Sequence, residues 1–237
     1  MKLEPNYSAL AHYYHLLEED LPLFDWAVYL ETLIGEHTET SPKILDLACG
    51  TGTIAKMLSD KLNTFVIGLD LSRDMLMHAS SECICADMNF IPFQENSIRV
   101  AYSTHCAVNY LNSLGLHLAE VHRILERGGI YIFDCSSRAR AEAWVNSGGY
   151  FIQKKAKKLS LKATWTSFEK IIVDVHAETE NTAGDIYEQH HQTIFSENEI
   201  LTLIHENGFR LLGRDLNYRS KRMNESDPIY NFVLQKP

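Results

Sequence analysis

Residues 44–55 read ILDLACGTGTIA, an apolar run that carries an acid, Asp46, and falls into Gly50-Thr51-Gly52. A second acid, Asp70, ends the next apolar run. A glycine-rich turn between a strand and a helix sets backbone N–H groups against an adenine cofactor. Gly50, Gly52 and Ala55 spell G-x-G-x-x-A, and Asp70 lies where an acid takes a ribose hydroxyl pair, so a dinucleotide is one reading. Asp46, inside the same strand-to-loop transition, argues for another. A helix N-terminus that binds pyrophosphate wants no anion beside it, whereas a carboxylate there suits a ligand with sulfonium and ammonium groups and no phosphate.

Other residues could act on a second reactant. In STHCAVNYL, 103–111, His105 has a side chain whose ordinary pKa lies near neutral pH. It serves either as a general base or as a hydrogen-bonding group for a cofactor or the loop backbone. His190 and His191 are adjacent in a strand-like run, so at most one faces a given pocket. His191 shares its face with Tyr187, Gln189 and Thr193, a face that lines a substrate site or meets solvent. Cys83 and Cys85 form C-x-C with no second pair, and no H-x-x-x-H falls on a helix, so no metal is expected. The five cysteines, an odd count mostly in or beside apolar runs, read as reduced thiols in a cytoplasmic protein.

The elements that position these residues follow from periodicity. Residues 6–36 read as helix, with Tyr7, Leu10, Ala11, Tyr14 and Leu17 on one face. Pro22 starts a second helix carrying Phe24, Trp26, Tyr29, Leu30 and Leu33. Then KILDLA, TFVIGLD, CICAD, IRVAYST and GGIYIFDC read as strands, with helices expected at 52–61, 72–80 and 112–126. Such alternation predicts a parallel sheet with helices on both faces and ligands at the carboxyl ends of its strands. After residue 150 the period drops to two in KLSLKATW, IIVDVHA and DIYEQHHQTIF, the last after a Gly184 turn signal. These predict a three-stranded antiparallel insertion over 150–195 that covers one end of the sheet. Ser196 and Glu199 form a capping box for a helix through Ile200, Leu203 and Ile204, closed by Gly208. FRLLGRDLNY and IYNFVLQK, joined by a short loop, should pair antiparallel.

Several motifs recur in order. D-L-A-C-G-T-G at 46–52, G-L-D-L-S at 68–72, A-D-M at 86–88 and LERGGIYIFD at 125–134 together resemble the class I S-adenosylmethionine (SAM)-dependent methyltransferases over roughly 40–136 and 196–237. Ala48 stands where that family often has glycine. The leader YSALAHYYHLL resembles the start of many small members, with Tyr7 and Tyr14 matching, Trp26 downstream, and His15 in place of the usual acid. The resemblance implies a Rossmann-like, seven-stranded, mostly parallel sheet with an antiparallel last strand, helices on both faces, a helical leader and an antiparallel insertion. Together with the change of period after residue 150, this predicts one domain: leader 1–40, SAM-binding core 41–149, substrate-covering insertion 150–195, and terminal helix and strand pair 196–237. In it, Tyr14, Asp46, Ala48, Gly50, Gly52, Asp70, Leu71, Met75, Asp87, Met88 and His105 would bind SAM. Asp70 would grip the ribose, Leu71 and Met88 would sandwich the adenine, and Asp87 would meet its amino group. Tyr14, His105 and His191 would serve catalysis.

Methyl transfer is an in-line displacement for which position and desolvation matter more than a strong catalytic motif. N-P-P-[YF], which marks amide and exocyclic-amine methyltransferases, is missing from 103–111. The expected function is methylation of a small molecule at N, O or C. A tRNA or rRNA methyltransferase, an NAD-dependent oxidoreductase and a SAM-binding regulator stay open. The 237 residues carry a formal net charge of −9, which disfavours nucleic acid as a partner. Lys154, Lys155, Lys157, Lys158 and Lys162 form a local cluster that would be an RNA handle or a lysine-protected strand edge. The N-terminus has no signal-peptide core and no apolar run is long enough to span a membrane.

Overall fold

The computed structural model describes residues 6–8, 10–38, 42–154, 157–178, 185–219 and 228–237. Lys155 and Gly184 lie outside the described residues. The leader is segmented. A 3-10 turn, Leu10–Tyr13, runs into α1, Tyr14–Glu18, and α2 follows at Leu23–His37. Pro22 has no N–H to donate, so the helix expected across 6–36 breaks before it and Tyr7 lies in a turn.

The main sheet is built from β1 Ile44–Leu47, β2 Val66–Asp70, β3 Cys83–Cys85, β4 Ile98–Ser103, β5 Leu125–Ser136, β10 Arg210–Leu216 and β11 Ile229–Gln235. Their spatial order is β10-β11-β5-β4-β1-β2-β3. The five strands from β5 to β3 pair parallel, and β11 pairs antiparallel with both β5 and β10. Helices α3 Thr53–Leu62 and α2 cover one face, with Leu30, Leu33 and Leu58 against Ile44, Val66, Val100 and Ile130. Helices α5 Leu114–Ile124 and α7 Glu197–Glu206 cover the other, with Leu118, Val121 and Ile200 against Leu45, Leu47, Leu69 and Phe133. Each fully buried leucine contributes about 2 kcal/mol. Ser72, Ser113 and Ser196 each cap a helix by accepting the N–H three residues on, so the capping box at 196 forms on its serine side.

A second, antiparallel sheet has the order β6-β7-β8-β9, from β6 Tyr150–Lys154, β7 Lys157–Ser167, β8 Lys170–Glu178 and β9 Ile186–Thr193. Its apolar face, including Leu159, Ala163, Val173 and Val175, packs on Leu10, Tyr13 and Leu16 of the leader. The expectation of three strands is corrected to four. Of Tyr150–Gln153 only Ile152 is buried, so the alternation that marks a strand is one residue deep there. Further corrections concern α4, which spans only Arg73–Leu76, and α6, Arg138–Asn146, whose one buried residue, Ala141, gives no helical stripe. The β10–β11 connection is longer than the short loop expected. It begins with Asn217–Arg219, all at positive φ, because Tyr218 turns inward to stack on Trp26 with centroids 4.6 Å apart. On the outer sheet face Lys158 pairs with Glu178 at 2.7 Å and Lys162 stands opposite Asp174.

Candidate functional site

A cavity of about 740 Å³ opens at the carboxyl ends of β1, β2 and β4 and is roofed by the leader. Its floor is the glycine loop. Gly50 and Gly52 have φ of +56° and +70°, and a Cβ on Gly52 would stand 2.4 Å from Ser81 Oγ. Only glycine takes both the left-handed backbone and the close approach without strain. Ala48 takes φ +60° despite its Cβ, in the same loop. The amides of Gly50 and Ser72 donate to the two carboxylate oxygens of Asp70, each at 2.8 Å. They fix the carboxylate at the cavity rim while each oxygen keeps a further lone pair. Burial raises the Asp70 pKa.

Leu71, 70% exposed, and Met88, nearly buried, also line the cavity. Met88 is held from behind by His117. Its carbonyl lies 2.9 Å from His117 Nδ1, and His117 Nε2 lies 2.7 Å from the Tyr131 hydroxyl. Burial pushes His117 down to about 4, so it is neutral. The carbonyl can only accept, so Nδ1 carries the proton and Tyr131 donates to Nε2. Asp87 accepts from the Asn89 amide at 2.8 Å, which closes the turn that carries Met88.

Asp46 is buried, and its Oδ1 has no hydrogen-bond partner among the described residues. Burial pushes its pKa up to about 8. The lining holds Glu18, Asp46, Asp70, Asp74 and Asp87 against one arginine, Arg73. A cavity walled by acids attracts cations and repels a pyrophosphate. The donor set therefore fits a ligand with sulfonium and ammonium groups better than one with a pyrophosphate.

At the far end the loop after β4 bends sharply, with His105 and Cys106 both left-handed at φ +61° and +56°. The buried carboxylate of Asp134, in β5, holds this bend by accepting the Cys106 amide at 2.9 Å and the Tyr218 hydroxyl. Its own burial raises it to about 7. Tyr14 OH lies 3.1 Å from His105 Nδ1, and the edge of Trp26 packs on the same imidazole at 4.7 Å. Burial lowers His105 to about 4, and its Nε2 is buried without a hydrogen-bond partner among the described residues.

The roof joins three segments. Glu188 of β9 accepts the amides of Tyr7 at 2.9 Å and Leu10 at 2.8 Å. His190 Nε2 lies 2.7 Å from Glu188 Oε2, and His190 Nδ1 lies 3.2 Å from Tyr110 OH. The Tyr7 hydroxyl donates to Tyr110 at 2.7 Å. Tyr7 and Tyr110 line the cavity; Glu188 and His190 are buried behind them.

Of the residues expected from sequence, Tyr14, Asp46, Ala48, Gly50, Asp70, Leu71, Met75, Asp87, Met88 and His105 line this one cavity. Gly52 stands just behind, at the start of α3. His191 is corrected: it is exposed on the outer sheet face, and the face formed by Glu188, His190 and Gln192 is the buried one. Both faces of this strand are polar, so alternation shows two faces and does not choose between them. Tyr110, Asp134 and Glu188 are not among the residues expected from sequence, and of the His190–His191 pair it is His190 that turns inward. The one available signal was an acid and a histidine at i and i+2 in a strand that needs a buried face.

Residues 44–129 match a family described as "Methyltransferase domain". The chain is 32% identical over 110 residues to malonyl-[acyl-carrier protein] O-methyltransferase of Hamiltonella defensa, covering 43% of this chain and 42% of that one. It spans about half the length of the curated relatives it matches. A SAM-dependent methyltransferase of Clostridium acetobutylicum superposes with a TM-score of 0.79 at 17% identity, over 98% of this chain and 99% of the other. An amino pentose methyltransferase of Micromonospora echinaspora, solved with SAM bound, superposes with a TM-score of 0.72 at 15% identity, over 100% of both chains.

Proposed function

This chain carries a class I, Rossmann-like methyltransferase domain, that of the SAM-dependent enzymes, and from that premise we propose that it methylates a small polar molecule at an amine or hydroxyl. The observation that carries the reading is the acid-walled cavity in which Asp70 is fixed by the Gly50 and Ser72 amides. Asp70 takes the ribose hydroxyls, Leu71 and Met88 flank the adenine, and Asp87 takes its amino group. Gly50 and Gly52 let the backbone approach the methionine portion, and Asp46 faces its cationic groups. When bound, SAM supplies a methyl carbon made electrophilic by its sulfonium. The chain aligns the acceptor with that carbon and excludes water.

His105 is neutral at pH 7 and, with its pKa lowered to about 4, holds a proton poorly. We assign it and Tyr14 to orienting the reactants by hydrogen bonds. The leader and second sheet form a roof, which suits a compact acceptor better than a polymer. Lys158 and Lys162 of the outer face stand against Glu178 and Asp174, which does not favour RNA there. All five cysteines are free, in keeping with a reducing, cytoplasmic setting. Among the described residues no helix is long and apolar enough to cross a membrane.

Calorimetric titration with S-adenosylhomocysteine, alongside NADH, tests the reading. Micromolar binding of the former, lost in Asp70→Ala, is expected. Binding of NADH instead would overturn it.

A further inference from the structure

We propose that Tyr7, Tyr110, His190 and Glu188 form a proton relay, assembled when the leader is seated, that removes the proton released by the methyl acceptor. The inference rests on the methyl-transfer reading of the cavity.

The relay gives each hydrogen bond of the chain one direction. Glu188 Oε2 already accepts the Tyr7 amide, and a carboxylate has only acceptor capacity. His190 Nε2, 2.7 Å away, therefore carries a hydrogen. The relay takes the other ring nitrogen, Nδ1, as the acceptor of the Tyr110 hydroxyl, which lies 3.2 Å away. Tyr110 in turn accepts the hydroxyl of Tyr7 at 2.7 Å. Every donor points the same way, from the cavity wall to a carboxylate 1% exposed.

The transfer balances without an oxidant or reductant. The N–H or O–H bond of the acceptor breaks and its proton joins the Tyr7 oxygen. The proton of Tyr7 passes to Tyr110, and that of Tyr110 to His190 Nδ1. The acceptor loses one proton and His190 gains one, becoming an imidazolium beside the Glu188 carboxylate. Unseating of the leader then exposes the imidazolium to water. The same carboxylate that receives this charge also fastens the leader, through the Tyr7 and Leu10 amides. Tyr7 pays for its place with a left-handed backbone at φ +58°, the kind of strain that persists where neighbours over-determine a residue. His105, by contrast, is bonded to Tyr14 and has no such carboxylate behind it.

A simple fastening of the leader would use the same hydrogen bonds, so the test must read proton movement. Nitrogen NMR of histidine-labelled full chain, saturated with S-adenosylhomocysteine, reports the tautomer of His190 and its rate of proton exchange. The relay requires a neutral His190 with the hydrogen on Nε2, and a shift of that preference in Glu188→Gln. Tyr7→Phe keeps the amide that binds Glu188 but cuts the chain at the cavity. Exchange at His190 should slow about 100-fold or more in that variant, the low end of what a positioned acid–base group is worth. Binding of S-adenosylhomocysteine should stay within about twofold, since general acid–base groups contribute to the chemical step and not to holding the cofactor. A hydrogen on Nδ1, a permanently charged imidazole, or exchange unchanged in Tyr7→Phe would overturn the relay and leave the cofactor reading standing. Failure of the unaltered protein to bind S-adenosylhomocysteine would remove both.

Discussion

The floor and the roof of the cavity are built on opposite plans. The floor, from β1 to the turn after β3, is local: its residues lie within 46–88, and backbone amides and glycine φ values set them in place. The roof is long-range: Glu188 holds Tyr7 and Leu10 from the other end of the chain, and His190 meets Tyr110 from the loop after β4. A floor of this kind is preformed whether or not anything covers it. A roof made of three segments exists only when all three are docked.

The largest effect should come from breaking the roof at its centre. Glu188→Ala strands the Tyr7 and Leu10 amides and His190 Nε2. Loss of one partner from such a buried network costs about 3–5 kcal/mol, read as a lower urea midpoint and as protease cleavage confined first to the leader. Cleavage spread over the main sheet would deny that roof and floor are separable.

The floor has its own signature, in pH. Asp46 stands near 8 when folded, and an unfolded carboxyl near 4 is ionised well before that. Between pH 6.5 and 8 the native state therefore holds a proton that the unfolded chain does not, so stability falls as pH rises and levels off above about 8. The Asp46 part of the change across that window is about 2 kcal/mol in the ligand-free protein, measured by denaturant titration, and Asp46→Asn should remove it and leave the smaller slope that Asp134, raised to about 7, gives at the lower end. A ligand ammonium beside Asp46 favours its ionised form, so affinity for S-adenosylhomocysteine, which keeps that group, should rise over the same window. Gly52→Ala is next: a left-handed alanine costs about 1–2 kcal/mol, before the collision with Ser81 Oγ. The melting temperature and the affinity for S-adenosylhomocysteine should both fall. The smallest effect belongs to His191→Ala, on the exposed face, which should change stability by no more than about 0.5 kcal/mol and leave binding unchanged.

The same contrast explains what the sequence made legible. A glycine that must be left-handed, an acid that ends an apolar strand and a serine that caps a helix all act within a few residues, so Gly50, Asp70 and Ser72 could be read in place. The main sheet was legible for a related reason: its strands are buried on both faces and read as continuous apolar runs. Nothing local distinguishes Glu188 from a solvated acid on a strand. Its role depends on amides 178 and 181 residues away, and on which polar face of β9 turns inward. That choice was made by the apolar face of β8, where Val173 stands opposite His190, and not by β9 itself. Asp134 is hidden in the same way, since its partners Cys106 and Tyr218 come from the loop after β4 and the connection after β10, 28 and 84 residues away.

Trp26 gives the molecule a built-in optical gauge. Of three tryptophans, it alone is sandwiched between the imidazole of His105 and the stacked ring of Tyr218, while Trp144 and Trp165 lie with the second sheet. Its emission should therefore register events at the His105 end of the cavity without any attached dye. With both other indoles replaced by phenylalanine, stopped-flow mixing could time the arrival of ligand and the seating of the leader as separate optical phases.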